Sequence, residues 1–166
     1  MAAASRALLQ KNDASRDLYL FDTFQGMTDP TAKDVDYSGM SASQVLIEDP
    51  GFKCANAPLE EVKRLLYATG YPNERIHFIP GRVEDTIPAS APASIALLRL
   101  DTDWYESTRH ELIHLFPRLS TGGVLLIDDY GHWQGSRLAC DEYFEQNRIP
   151  LLLNRIDDTG RIALKP

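Results

Sequence analysis

The sequence predicts an α/β protein built on an open, largely parallel sheet with helices on both faces. Three observations point there. Helical and extended segments alternate along the chain, and three extended segments, DLYLFD (17–22), SIALLRLD (94–101) and VLLIDD (124–129), end in aspartate. The chain then closes with two extended runs, LLLNRID and RIALKP, joined by Asp158, Thr159 and Gly160 as an antiparallel pair would be. In open sheets of this kind ligands bind beyond the carboxyl ends of the strands, so these aspartates mark the edge where chemistry is expected.

Each element has a local reason. Residues 2–11 carry Ala, Leu and Arg with no breaker and predict a helix, which Asn12 and Asp13 interrupt before the first strand at 17–22. From Gly26 to about Pro58 the chain is rich in Gly, Pro, Ser and Asp, with one weak helical segment around SASQVLIED, and a loop this long inside a compact domain predicts a lid. PLEEVKRLLYATG is an amphipathic helix with Pro58 at its start, Leu59, Val62, Leu65 and Leu66 on one face and Gly70 as its stop. IHFIPG (76–81) is a short strand, and SIALLRLD is apolar nearly throughout, as strands buried on both faces are. The run Thr108-Arg109-His110-Glu111 has capping-box spacing and predicts a helix through Leu112, Leu115, Phe116 and Leu119, punctuated by Gly122 and Gly123. VLLIDD follows as a buried strand and SRLACDEYFEQN as a helix. The whole chain, residues 1–166, reads as a single domain with a lid-like loop at about 26–58.

Composition narrows the functional classes. The chain is 43% hydrophobic and 25% charged, an ordinary globular balance, with no apolar run long enough to cross a bilayer and no signal peptide in MAAASRALLQ, which predicts a cytoplasmic protein. Cys54 and Cys140 lack CxxC or Cys/His spacing and are expected to be reduced and structural. A formal charge of −7 without clustered Lys and Arg argues against nucleic acid and for a neutral or cationic small molecule.

The strand-terminal acids carry the chemistry. A lone Asp there is often a turn residue, but Asp101, Asp103, Asp128 and Asp129 projecting into one crevice repel unless donors or a cation neutralise them. Oxygen ligands without Cys or patterned His select a hard ion, Mg²⁺ before Ca²⁺ or Mn²⁺, and a divalent ion also lowers the pKa of a bound hydroxyl. Asp22 closes the first extended segment and either accepts hydrogen bonds from ribose hydroxyls or is a turn residue. His110-Glu111-Leu112-Ile113-His114 matches the letters HExxH, yet Leu112, Ile113, Leu115 and Phe116 make that helix a core-packing stripe, so the match is expected to be structural. His132, three residues beyond Asp129, is a weaker site candidate beside the reading of an exposed loop histidine. Asp-x-Asp after an apolar strand also describes metal-dependent glycosyltransferases, which would leave Asp128 and Asp129 idle.

With DLYLFDTFQGM, LLRLDTDWYESTRHELIHLFPRLSTGGVLLIDDYG and SRLACDEYF in view, the chain resembles the macrocin O-methyltransferase family from about residue 2 to its C-terminus. These are S-adenosylmethionine- and Mg²⁺-dependent enzymes that methylate sugar hydroxyls on macrolides and related natural products. The resemblance implies a class I methyltransferase fold, Rossmann-like and mostly parallel with a C-terminal antiparallel hairpin. It implies Asp101, Asp128 and Asp129 as metal ligands, Asp103 as the general base and Asp22 as the ribose acceptor. The GRVEDT segment resembles the region that lines the adenine, which nominates Val83, Glu84 and Asp85. A sugar-bearing acceptor and a homo-oligomer are implied too. Family members begin with a strand and a glycine-rich turn beneath the cofactor, whereas this sequence has no glycine before Gly26. The sheet is therefore expected to lack its first strand, leaving two neighbours without a ladder partner, and a truncated remnant that only binds is the non-catalytic alternative.

Overall fold

A computed structural model describes residues 1–49, 51 and 57–166. Its elements run α1 (Ala2–Gln10), β1 (Leu18–Asp22), α2 (Ala42–Glu48), α3 (Leu59–Tyr67), β2 (Ile76–Pro80), α4 (Val83–Thr86), β3 (Ile95–Leu100), α5 (Tyr105–Leu115), β4 (Leu119–Ile127), α6 (Gln134–Gln146), β5 (Asn154–Arg155) and β6 (Arg161–Leu164). They form two compact units, Met1–Thr28 with Gly51–Thr86, and Asp29–Pro50 with Ile87–Pro166. Cys54 and the 50–56 part of the lid-like loop, Gly51 apart, lie outside the described residues.

In the first unit β1 and β2 pair in parallel, with Leu18 opposite Ile76 and Asp22 opposite Pro80. Alternation sends Leu18, Ile76 and Phe78 to one face, where they meet Leu66 and Val62 of α3 and Leu8 of α1. Tyr71 is buried in the same core and donates its hydroxyl to the Arg16 carbonyl at 2.6 Å, which fixes the entry to β1. The Gly81 amide bonds the Asp22 carbonyl at 3.0 Å, so the GRVEDT segment starts beside the end of β1.

The second unit holds a four-stranded sheet in the order β3, β4, β6, β5. Leu97 to Leu100 run parallel to Val124 to Ile127, and β6 returns antiparallel to β4. Helix α5 packs against β3 and against α6, and Leu112, Leu115, Ala139 and Cys140 of these helices are all buried. The Cys140 thiol is free, and burial pushes it well above its ordinary pKa, which makes it inert. Among the described strands, β1 pairs only with β2 and β3 only with β4, so each keeps one edge without ladder bonds.

Four local expectations are corrected. The strand at 94–101 is not buried on both faces: Leu98 and Leu100 are buried while the alternating Leu97 and Arg99 are exposed, so among the described residues β3 buries one face only. Thr108 does not cap a helix, since α5 begins three residues earlier at Tyr105 and Thr108 is buried within it. That helix ends at Leu115, and after a 3-10 turn at Phe116–Arg118 the strand β4 starts at Leu119, with Gly122 and Gly123 inside it. Of LLLNRID, only Asn154–Arg155 pairs in the sheet.

Candidate carboxylate site

Parallel pairing of β3 and β4 builds the site. Leu100 and Ile127 are register partners, so the next residues on each strand, Asp101 and Asp128, emerge side by side, and the Asp128 amide bonds the Leu100 carbonyl at 3.0 Å. Carboxylate oxygens of Asp101, Asp128 and Asp129 all lie within 4.8 Å of one another, and among the described residues no other group of three His, Cys, Asp or Glu converges in this way. Asp103 belongs to the same cluster. Its amide donates to Asp129 Oδ2 at 3.3 Å, and its Oδ1 accepts from the Trp133 indole at 2.9 Å. Its backbone is left-handed, with φ at +62°, a conformation Asp tolerates better than most residues and one that often marks a functional turn.

One cation is built in. Arg99 projects from β3 and bridges Asp101 at 2.7 Å and Asp128 at 2.9 Å. A single guanidinium cannot balance four carboxylates, and burial with the remaining repulsion shows in the proton affinities of Asp101 and Asp129. Burial, with the neighbouring Asp128, pushes Asp101 up to about 7, and burial with Asp103, Asp101 and Asp128 nearby pushes Asp129 up to about 8. Burial raises Asp103 too, against the lowering effect of its bonds to Asp129 and Trp133. Oxygen donors converging in a site this short of positive charge fit a hard divalent cation.

The sign of the resulting pH dependence follows. The Asp101 and Asp129 carboxyls hold their protons in the fold up to about pH 7 and 8 but release them near 3.8 in the unfolded chain, so their contribution to stability is greatest in acid and is lost as pH rises through 7–8. We expect the melting temperature of the metal-free protein to fall between pH 5 and about 8.5 as they ionise. Added Mg²⁺ should reverse the fall, and titration calorimetry at pH 6.5 in buffers of different ionisation enthalpy should show about one to two protons released per ion. A proton count of zero would contradict this ionisation scheme.

Other candidates fall elsewhere. In the first unit Asp22 is exposed, and its Oδ1 accepts from the Phe24 amide at 2.7 Å, a turn bond that leaves Oδ2 for a ligand hydroxyl. Val83 is buried, Glu84 pairs with Arg82 at 3.4 Å, and Asp85 is exposed, so only the two acids present polar groups near the surface. His110 Nε2 lies 2.9 Å from the Ile87 carbonyl and Glu111 is buried, accepting from Thr102 at 2.8 Å, which makes HELIH part of the packing of α5. His132 packs edge-on against Trp133 and Tyr37, beside the site rather than in the carboxylate group. Three contributors went unread in the sequence: Arg99, Trp133 and Asp34. Arg99 precedes Asp101 by two residues and so shares its side of an extended strand, a signal that was there to be used.

The profile of the macrocin-O-methyltransferase (TylF) family matches residues 2–164. The chain belongs to that family. It is 35% identical over 156 residues to an 8-demethyl-8-(2,3-dimethoxy-alpha-L-rhamnosyl)-tetracenomycin-C 4'-O-methyltransferase of Streptomyces olivaceus, covering 93% of this chain and 58% of the relative. It is 31% identical over 156 residues to a demethyldecarbamoylnovobiocin O-methyltransferase of Streptomyces niveus, with the same coverage. Among solved structures it is similar to the O-methyltransferase NovP, with a TM-score of 0.84 and 28% identity over 99% of this chain and 66% of that one. The chain thus spans a little under two thirds of these relatives' length. The fold is that of the class I O-methyltransferases, mostly parallel with antiparallel C-terminal strands.

Proposed function

We propose that this protein is an S-adenosylmethionine-dependent O-methyltransferase that acts on a hydroxyl of a sugar-bearing natural product and requires Mg²⁺. The observation that carries the reading is the convergence of Asp101, Asp128 and Asp129 with Asp103 held beside them. Asp101, Asp128 and Asp129 would hold the ion, which when bound acidifies and orients the acceptor hydroxyl. Asp103 is the general base: Trp133 fixes one of its oxygens, and burial holds its proton affinity above that of an ordinary carboxylate, closer to working pH. The methyl donor arrives already activated as a sulfonium, so the chain's task is to bring the acceptor oxygen into line and take its proton. Asp22, with Glu84 and Asp85 and the backbone at Val83, would receive the ribose and adenine.

The sugar acceptor is supported by relatives named for a rhamnosyl tetracenomycin and for the 3''-hydroxyl of mycinamicin III. Membership of a methyltransferase family, together with the second acid pair at Asp128 and Asp129, disfavours glycosyl transfer. No helix among the described residues is long and apolar enough to cross a membrane, which suits a cytoplasmic enzyme, and a homo-oligomer without nucleic-acid partners belongs to the same proposal. The test is transfer of labelled methyl from S-adenosylmethionine to a panel of glycosylated acceptors, such as rhamnosylated aromatic polyketides, with Mg²⁺ or with EDTA. Incorporation into a sugar hydroxyl that EDTA abolishes supports the reading. S-adenosylmethionine binding without transfer to any acceptor would favour a module that only binds, and EDTA-insensitive transfer would overturn the role of the metal.

A further inference from the structure

The loop between β1 and α3 shows no chemistry in its sequence, yet it places a completely buried carboxylate, that of Asp34, between the two acid-bearing turns of the second unit. Asp34 Oδ1 accepts from the Tyr105 amide at 2.7 Å, and Oδ2 accepts from the Thr31 amide at 2.6 Å and the Thr31 hydroxyl at 2.9 Å. Tyr105 is the first residue of α5, whose own N-cap residue, Trp104, makes no side-chain cap bond, so a side chain 71 residues away supplies the cap. The negative charge also suits the positive end of that helix. Gly135 is the second residue of α6, and a Cβ there would overlap Asp34 Oδ1, so only glycine lets the carboxylate sit where it does.

Neighbouring bonds extend the connection. The Gln134 amide and side chain donate to the carbonyls of Val35 and Asp36, both at 2.8 Å, and Lys33 Nζ lies 3.3 Å above the Tyr105 ring. Residues 33–36 therefore touch the chain just after Asp101 and Asp103 and again just after Asp128 and Asp129. Both oxygens of Asp34 act as acceptors, a pattern that Asn cannot reproduce because its amide nitrogen would face a donor. Burying a carboxylate is costly, and this one is held between the start of α5 and Gly135, next to both acid-bearing turns.

We propose that Asp34 is a positioning residue for the carboxylate site, tying the turn at 101–104 and the turn at 128–133 to one loop so that their acids converge on a divalent cation. The inference rests on the metal reading above. It is tested by Mn²⁺ affinity, followed by electron paramagnetic resonance on the intact 166-residue chain, for wild type, Asp34→Asn, Gly135→Ala and Leu119→Ala. Leu119 is buried at the far end of β4 from Asp128 and serves as the comparison for general destabilisation, with the melting temperature of every variant measured alongside. Asp34→Asn and Gly135→Ala should each weaken Mn²⁺ binding by about tenfold or more, the scale of outer-shell substitutions, while Leu119→Ala stays within about twofold of wild type. Gly135→Ala reaches the same carboxylate from the other side and keeps the test decisive if Asp34→Asn does not fold. Affinity within twofold of wild type in either folded variant overturns the role of Asp34. An equal loss in Leu119→Ala overturns it as well, reducing the contact to general stability. Absence of Mn²⁺ binding in the wild type is a separate result, seen before any substitution, and removes the metal reading together with this one.

Discussion

Asp103→Asn is expected to lower kcat for methyl transfer by about 10²- to 10⁴-fold, the usual contribution of a general base, while leaving Mg²⁺ affinity within about threefold of wild type. The substitution is clean for structural reasons. Asn tolerates the left-handed backbone at φ +62° as Asp does, and its side-chain oxygen can still accept from Trp133. What it removes is the capacity to take a proton. Because the proposed base acts in the transition state and not in binding, KM for the acceptor should change little. Steady-state kinetics beside calorimetric Mg²⁺ titration checks this. Loss of metal binding in step with activity would show that Asp103 is a ligand, and unimpaired transfer would show that the base lies elsewhere.

The second large effect is expected from Asp128→Asn: if Asp128 holds the ion as proposed, the substitution should weaken Mg²⁺ binding by at least about 100-fold, since removal of a charged ligand exceeds the effect of even outer-shell changes. The fold should not suffer. Arg99 keeps its 2.7 Å bond to Asp101, and one fewer carboxylate relieves part of the repulsion that adds to burial in pushing Asp129 up to about 8. The metal-free melting temperature should stay within about 2 °C of wild type or rise, less than a destabilisation of about 1 kcal/mol would produce. A large fall in melting temperature with intact Mg²⁺ affinity would make Asp128 the anchor of Arg99 and nothing more.

Much of this site was open to a reader of the sequence because strand ends are local features. An apolar run closed by Asp is visible at Leu100-Asp101 and at Ile127-Asp128, and short strands on either side of a helix imply parallel neighbours. That the two acids then emerge together follows from the register of Leu100 with Ile127, which the alternation of elements suggests and only the pairing establishes. The helix start at Tyr105 was missed for a related reason. Thr108 with Glu111 has the spacing of a local cap, but the actual cap is Asp34, and no window of sequence around α5 contains it. The exposure of Leu97 and Arg99 was missed because an apolar composition reports what a strand could bury, not which neighbours its unit provides.

By itself the sequence determined the kinds of element, the family to which the chain belongs and the residue types that gather at strand ends, since these depend on periodicity, turn chemistry and motif within short stretches. The tertiary structure alone decided that Arg99 bridges two of the acids, that Trp133 orients a third, and that a buried loop aspartate caps the helix that follows them. Those contacts join residues roughly 30 to 70 positions apart, apart from Arg99 with Asp101, and their strength depends on distance and burial, which exist only once the chain has closed on itself.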